Sequence, residues 1–384
     1  MKITSITPFS VKGGFRSWVF VRIKTDEGIT GWGDASDWDA PFSIVEAVRY
    51  LESRLIGEDP FNIEKIWWKN TQIYKRMWGG IAWKAMSGID TALWDIKGKA
   101  LGVPVWQLLG GKIRERLRLY WSHCGSAQFA HTEHLLSDPI TSLDDLESFC
   151  KMVKDSGFTA LKTNIMALRG TPLYRKRRED VLTGDIDRET LETASAIIGT
   201  FRRELGPQMD IALDTAFDYK LNGALQLARE LEKYHMMWLE TETFDPDAQL
   251  ELMRSTVTPI VHGESIYDTH GYLPYFQRHA QSAIMIDLAW NGLTLGKKIA
   301  DLALVFDTPV SPHNCHSPLT TFVAANLCAA VKNFKILEID YDDVPWRDKI
   351  ITDPIRIEDG YLIIPDRPGL GTDIVEENLI KYKI

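Results

Sequence analysis

Six ionisable residues in the second half of the sequence are placed for joint chemistry: Asp214, Glu240, Glu264, Asp287, His313 and Glu338. Each falls at or near the end of a short apolar run. Successive members lie about 25 residues apart, the length of one strand-plus-helix unit. Lys162 sits in an earlier run of the same kind. Asp214, Glu240 and Glu264, brought into one space, repel one another unless they take up protons or share a cation. Their oxygens suit Mg²⁺, which completes its shell with water or substrate oxygens. One such acid is explained well enough as a cap on the following helix; three on successive strands point to a metal. A carboxylate bonded to one imidazole nitrogen orients the ring and leaves the other nitrogen as a general base. Asp287 and His313 fit that pair, with His316 as a competing base. His313, Cys315 and His316 are also zinc-type donors, but no companion ligand motif accompanies them. Lys162 could bind a substrate carboxylate, act as a base, or form a Schiff base if its pKa were depressed. Its place among the other polar strand ends favours electrostatic work.

The elements that must position these residues follow from the hydrophobic pattern. Short apolar runs at 118–121, 160–163, 210–214, 237–240, 260–264, 283–287, 310–313 and 336–339 alternate with helical stretches. Eight strands with intervening helices describe a parallel barrel whose polar strand ends meet at one rim. Before them, 18–25 and 29–35 form a hairpin about Asp26-Glu27-Gly28, and a helical pattern runs from 44 to about 100, closed by Gly102 and Pro104. The expected fold is therefore α/β: a (β/α)7β TIM-like barrel over 116–343 with an N-terminal α+β capping domain over 1–115. A polar, proline-punctuated tail over 344–384 is expected to pack back on the cap.

Composition narrows the function classes. The 384 residues carry a formal net charge of −9 and are 45% hydrophobic, so a large core is available. That balance gives no general attraction to nucleic acid or to an anionic membrane. No stretch is long and apolar enough to span a bilayer. The four cysteines, Cys124, Cys150, Cys315 and Cys328, form no C-x-x-C pair, and the start lacks the apolar core of a signal peptide. Reduced thiols and a cytoplasmic location are expected.

These residues, in this order, resemble the enolase superfamily in its mandelate racemase/muconate lactonizing enzyme-like branch. The likeness covers nearly the whole chain. In the cap it rests on Ile29-Thr30-Gly31-Trp32-Gly33, on 88–99 and on Leu108-Leu109-Gly110-Gly111. In the barrel it rests on Gly263-Glu264, on 287–294 and on Pro312-His313-Asn314. The resemblance implies Mg²⁺ ligands at Asp214, Glu240 and Glu264 and a base dyad of His313 with Asp287. It further implies a carboxylate- or enolate-binding acid at Glu338, and at Lys162 the first lysine of a K-x-K motif. A Lys or His base with Mg²⁺ stabilising an enediolate is a known pattern of this superfamily. Two departures bear on the reaction. Asn164 stands where the second lysine would be a base, so two-base racemisation is not expected and His313 is left as the base. The Lys162-Thr163-Asn164 pattern is similar to that of D-galactonate dehydratases, but Ala216 stands where those carry a histidine acid, and Thr241 follows Glu240 in place of the common proline.

The resulting expectation is Mg²⁺-dependent removal of the α-proton of a small carboxylate, with dehydration of a sugar acid to a 2-keto-3-deoxy acid. The general acid is His313 itself in a syn elimination, or His123. Asn164, Arg16, Trp18 and His123 are expected to contact substrate, and association into a homo-oligomer follows the family's habit. Gly13-Gly14-Phe15-Arg16-Ser17-Trp18 and 74–80 read as cap loops over the site, or as plain turns. Arg175-Lys176-Arg177-Arg178 reads as a solvated loop, and His131-Thr132-Glu133-His134 lacks metalloprotease spacing. Rival readings are a cycloisomerase or epimerase on a related acid, a non-catalytic sugar-acid binding protein, and a Schiff-base aldolase using Lys162.

Overall fold

The computed structural model describes residues 1–73, 78–130, 137–165, 184–215 and 219–384. Ala216, the basic run at 175–178, the segment 131–134 and residues 74–77 of the second cap loop lie outside them.

The cap opens with three antiparallel strands, β1 (Ile3–Gly13), β2 (Arg16–Thr25) and β3 (Thr30–Asp34). The turn between β1 and β2 contains Gly14 with φ 65°, a left-handed conformation that suits glycine. Helices α1 (Pro41–Leu55), α2 (Ile63–Ile73), α3 (Gly80–Leu101) and α4 (Val105–Leu108) follow. Gly102, with φ 68°, ends α3 in a left-handed cap, where the residue pattern places the stop. Strand β3 lies directly on α3: a Cβ at Gly33 would come within 1.9 Å of the Gly88 carbonyl oxygen. The Gly-Trp-Gly motif is thus a requirement of close approach.

The barrel strands are β4 (Arg116–Trp121), β5 (Ala160–Asn164), β6 (Asp210–Asp214), β7 (Trp238–Glu240), β8 (Ile260–His262), β9 (Ala283–Ile284) and β10 (Leu337–Ile339). Between them run α5 (Ser126–Ala130), α6 (Leu143–Asp155), α7 (Arg188–Leu205), α8 (Leu221–Leu231), α9 (Pro246–Arg254), α10 (Asp268–Arg278), α11 (Leu288–Val305) and α12 (Pro318–Ala330). Parallel pairing runs in order from β4 to β9. It continues through single bridges from Ile284 to Val310 and from Val310 to Phe334, and β10 pairs with β4 to complete the circuit. The expected strand at 310–313 is reduced to the single bridging residue Val310. Pro309 and Pro312 flank it, and proline has no N–H for a ladder. Ser311 and His313 still donate their amides to the Ile284 and Ile286 carbonyls, at 2.9 and 3.1 Å.

The tail does two things. Its hairpin, β11 (Ile357–Glu358) with β12 (Tyr361–Ile363), adds antiparallel to the first half of β4. After α13 (Glu376–Ile380) the last residues return to the cap, where Lys12 donates to the Tyr382 carbonyl at 2.8 Å and Ile384 to that of Ser10 at 3.1 Å. Among the described residues, no helix is long and apolar enough to cross a membrane.

Candidate active site

Alternation along the barrel strands builds the site. Side chains at i and i+2 share a face. The inward face begins with an apolar plug of Tyr120, Ala160, Ala212, Trp238, Val261, Ala283, Met285 and Ile336. Two residues further on, the same face carries Ser122, Lys162, Asp214, Glu240, Asp287 and Glu338, and two further again Asn164 and Asp340. Apart from β8, whose next inward position is Gly263, the runs are oily at their start and polar at their end, so the polar groups collect above the plug at the C-terminal rim.

The imidazole pair is the most tightly specified part. Asp287 caps α11, its Oδ1 accepting from the Trp290 amide at 2.9 Å. Its Oδ2 faces two histidines, His313 Nδ1 at 2.6 Å and His316 Nε2 at 2.7 Å. Burial would raise the Asp287 pKa; the two imidazoles outweigh it and hold the carboxyl below its usual range. The other nitrogen of His313, Nε2, looks toward Glu264 Oε2 at 3.2 Å and Cys315 Sγ at 3.0 Å. Burial disfavours the imidazolium, yet Cys315, Glu264, Glu338 and the bond to Asp287 raise the His313 pKa well above the ordinary histidine value. His316, the competing base, is fully buried behind the shared carboxylate.

Lys162 is 2% exposed and lies between two carboxylates, 2.9 Å from Glu240 Oε2 and 2.8 Å from Glu338 Oε1. Burial lowers its pKa, but Glu240 and Glu338 more than compensate and hold the ammonium charged. One ammonium cannot neutralise two acids. Glu338 takes the larger share: burial pushes it up, Lys162 and His313 pull it well below the carboxylate range, and Ser122 and the Asn314 amide donate to it. Glu240 is left uncompensated. Burial raises its pKa far above normal despite Lys162, with Asp214, Glu338 and Glu264 adding to the rise. Its Oε1 is buried without a hydrogen-bond partner among the described residues.

The three acids expected to bind metal act on one another's charge, and each leans on a different neighbour. Asp214 Oδ2 accepts from Asn164 Nδ2 at 2.8 Å, Glu240 from Lys162, and Glu264 faces His313. Glu264 too is pushed up, by burial first and by Asp214 after the opposing pull of His313. It lies two residues past β8, in the loop rather than on the strand expected over 260–264. Mutual repulsion around an orphaned buried oxygen is what an all-carboxylate cation site looks like before its charge is balanced. The donor set fits Mg²⁺.

The residues expected to contact substrate divide. Asn164 is inside the site, between Asp214 and Ser126 Oγ, the latter at 2.9 Å. His123 and Arg16 meet at the end of β4, with Arg16 Nη2 3.3 Å from His123 Nδ1. His123 Nδ1 is also 2.8 Å from Asp340 Oδ1. The Arg16 guanidinium is buried in ion pairs with Asp340 and Asp343, so its charge is committed to protein acids. Trp18 is placed elsewhere. It is 1% exposed and packs edge-on against Trp346 and Phe20, between cap and tail. Its position on β2, two residues beyond Arg16 in an alternating strand of large side chains, makes it a core residue.

Several members of the site escape a reading by strand ends. Asn314 holds both the Glu338 carboxylate and the Glu338 carbonyl, the latter at 2.8 Å. Asp340 and Asp343 anchor Arg16. Glu242 accepts from the Gly263 amide at 2.7 Å, and its carboxyl is pushed up to about 8 by burial and by Glu264. The signal for Asp340 and Glu242 was available: each lies two residues after a site acid, on the same face. Nothing local marks Asn314 beyond its place next to His313.

Comparison with known proteins identifies the family and its fold. Residues 7–110 match the family model of the mandelate racemase/muconate lactonizing enzyme N-terminal domain, and residues 145–378 that of the enolase C-terminal domain-like family. The chain is 31% identical to the D-xylonate dehydratase of Haloferax volcanii, with 99% of this chain and 89% of that one covered. It is 30% identical to the D-galactonate dehydratase of Pectobacterium atrosepticum, over 99% and 94%. A crystal structure of a candidate L-alanine-DL-glutamate epimerase from Burkholderia xenovorans, bound to magnesium and fumarate, superposes with a TM-score of 0.96 at 32% identity, covering 100% of this chain and 96% of that one.

Proposed function

We propose that this chain, which belongs to the mandelate racemase/muconate lactonizing enzyme branch of the enolase superfamily, is a lyase that removes water from a sugar acid. In its neutral form His313 takes, at Nε2, the proton α to the substrate carboxylate. The β-hydroxyl leaves with a proton as water, and the resulting enol ketonises to a 2-keto-3-deoxy acid. The observation that carries this reading is the dyad: Asp287 holds Nδ1 at 2.6 Å and so leaves Nε2 facing the acid cluster.

A carbon acid beside a carboxylate is weak because its anion carries two negative charges. Fixed positive charge aimed at those oxygens lowers that barrier. Lys162, kept cationic by its two acids, supplies one such charge from the floor of the site. Asp214, Glu240 and Glu264 would hold Mg²⁺, which when bound supplies Lewis-acid neutralisation of the substrate carboxylate. Protonated His313 is the acid for the departing hydroxyl in a syn elimination, and His123 is the alternative. The Burkholderia protein is described as bound to magnesium and fumarate, which supports a divalent cation and a small carboxylate as ligands of this fold.

The same likeness favours epimerisation as the second reading. Asn164 weighs against it, because an amide cannot return a proton to the opposite face. The raised pKa of Lys162 weighs against a Schiff-base aldolase, which needs a neutral amine. The test is a screen of acid sugars with Mg²⁺, reading semicarbazide-reactive keto product and solvent deuterium at the α-carbon. Deuterium exchange with recovery of an epimer and no keto acid would replace dehydration by epimerisation, and absence of any Mg²⁺-dependent turnover would leave a binding protein.

A further inference from the structure

Asp214 is held by a short chain of hydrogen bonds whose direction is fixed throughout. Asn164 and Asp214 are register partners on the parallel strands β5 and β6, so the backbone sets their separation. A carboxylate only accepts, so the group 2.8 Å from Asp214 Oδ2 is the amide nitrogen of Asn164. That turns Asn164 Oδ1 to Ser126 Oγ, 2.9 Å away, and makes the hydroxyl the donor. Ser126 and Asn164 are 7% and 5% exposed, which shields both bonds from competing water. The amide cannot turn over without setting its own oxygen against the carboxylate. It also orients Asp214 without neutralising it, whereas an ammonium at this position would compete with a cation for the same charge.

We infer that Ser126 and Asn164 are positioning residues that set the affinity of the cation site and its preference for Mg²⁺ over Ca²⁺. The inference rests on the reading of Asp214, Glu240 and Glu264 as cation ligands. Partners behind a ligating carboxylate orient it, and losing one typically costs about 10- to 100-fold in metal affinity. Here the relay engages Oδ2, so Asp214 is presented through one oxygen rather than edge-on through both. A single oxygen at a fixed angle suits Mg²⁺, which demands near-octahedral geometry. Ca²⁺ takes more oxygens in looser arrangements and accepts both oxygens of one carboxylate. Removing the Ser126 hydroxyl leaves Asn164 Oδ1 without its donor and releases the amide, and with it Asp214. Mg²⁺ then loses a ligand set in place beforehand, while Ca²⁺ meets a carboxylate it can take edge-on.

The test measures dissociation constants for Mg²⁺ and for Ca²⁺ on the metal-free protein by isothermal titration calorimetry, with no substrate present. Ser126→Ala is expected to weaken Mg²⁺ by about tenfold and Ca²⁺ by about twofold or less, which narrows the preference. Asn164→Leu keeps the approximate volume without either hydrogen bond and is expected to act in the same direction at least as strongly. Ser126→Thr keeps the hydroxyl and should restore both constants to near wild-type values. A merely structural disturbance weakens the two ions alike. Unchanged Mg²⁺ affinity in Ser126→Ala, or Mg²⁺ and Ca²⁺ weakened in equal proportion, overturns the inference and leaves the cation reading in place. A wild-type protein that binds no Mg²⁺ overturns the cation reading and this inference with it.

Discussion

The rim of the barrel and the seam between cap and barrel are both rich in buried polar groups, and they treat them in opposite ways. In the seam, α3 of the cap lies on α11 and the polar groups along that contact with α11 are paired. Asp90 accepts from the Thr294 amide at 2.9 Å and from its hydroxyl, Trp94 Nε1 donates to Thr294 Oγ1 at 2.8 Å, and Ser87 donates to the Leu288 carbonyl at 2.8 Å. Asp34, at the end of β3, accepts from Ser317 and Thr320, directly after the histidine loop. Trp290, which donates to the Ser36 carbonyl, lies beside both His313 and His316. At the rim, carboxylates crowd together and Glu240 Oε1 has no partner among the described residues, nor do Tyr120 Oη and Trp238 Nε1 in the plug beneath. Satisfied polar contacts rigidify, and unsatisfied ones mark where a ligand belongs. The cap thus holds the base in place from behind while the front stays electrostatically incomplete.

The largest effect should come from the meeting point of the two regions. His313→Asn keeps the approximate shape of the ring and removes the base. Turnover and α-proton exchange should both fall by about 10³-fold with the melting temperature nearly unchanged. Retained exchange would detach the dyad from the chemistry.

The next effect belongs to the seam alone. Burial pushes the Asp90 carboxyl up to about 6 against the opposing bonds from Thr294. A carboxyl with a raised folded-state pKa binds its proton more tightly when folded. Its contribution to stability is present in full below the unfolded value near 4 and is lost as pH rises through about 6. The full swing is on the order of 3 kcal/mol. Asp90→Asn should flatten the difference in melting temperature between pH 4 and pH 7, and an unchanged slope would place the titration elsewhere.

Legibility followed the same division. The rim acids could be read because a barrel puts one polar residue per strand-and-helix unit at the same end, and period-two alternation carries Lys162, Asp214, Glu240 and Glu338 there. The seam was visible only as motifs: the Gly-Trp-Gly run and the 88–99 helix announce themselves, but their reason is contact with α3 and α11, over two hundred positions apart for the Asp90–Thr294 pair. Trp18 was misplaced because an aromatic next to a glycine turn looks the same whether it faces substrate or a tail tryptophan. The histidine strand was overestimated because an apolar residue between prolines still reads as a strand end.

The third effect is confined to the rim. Mg²⁺ binding should raise the melting temperature, by an amount equivalent to about 2.7 kcal/mol at a hundredfold excess over its dissociation constant. Glu240→Gln should abolish most of that gain, since it removes the uncompensated acid. A Mg²⁺ response that persists in the variant would move the cation away from Glu240.

The smallest expected effect asks whether the seam transmits to the rim. Gly292 interrupts α11 with φ 71°, and a Cβ there would sit 2.7 Å from Asp90 Oδ2. Gly292→Ala forces a side chain into a left-handed backbone and into the Asp90 carboxylate, for a loss of about 2 kcal/mol. The break lies five residues after Asp287, on the helix that Asp287 caps. If the seam positions the dyad, the variant should lower kcat severalfold at a temperature where it is fully folded, with KM little changed. A loss of stability with kcat intact would mean that the cap holds the barrel together without aiming the base.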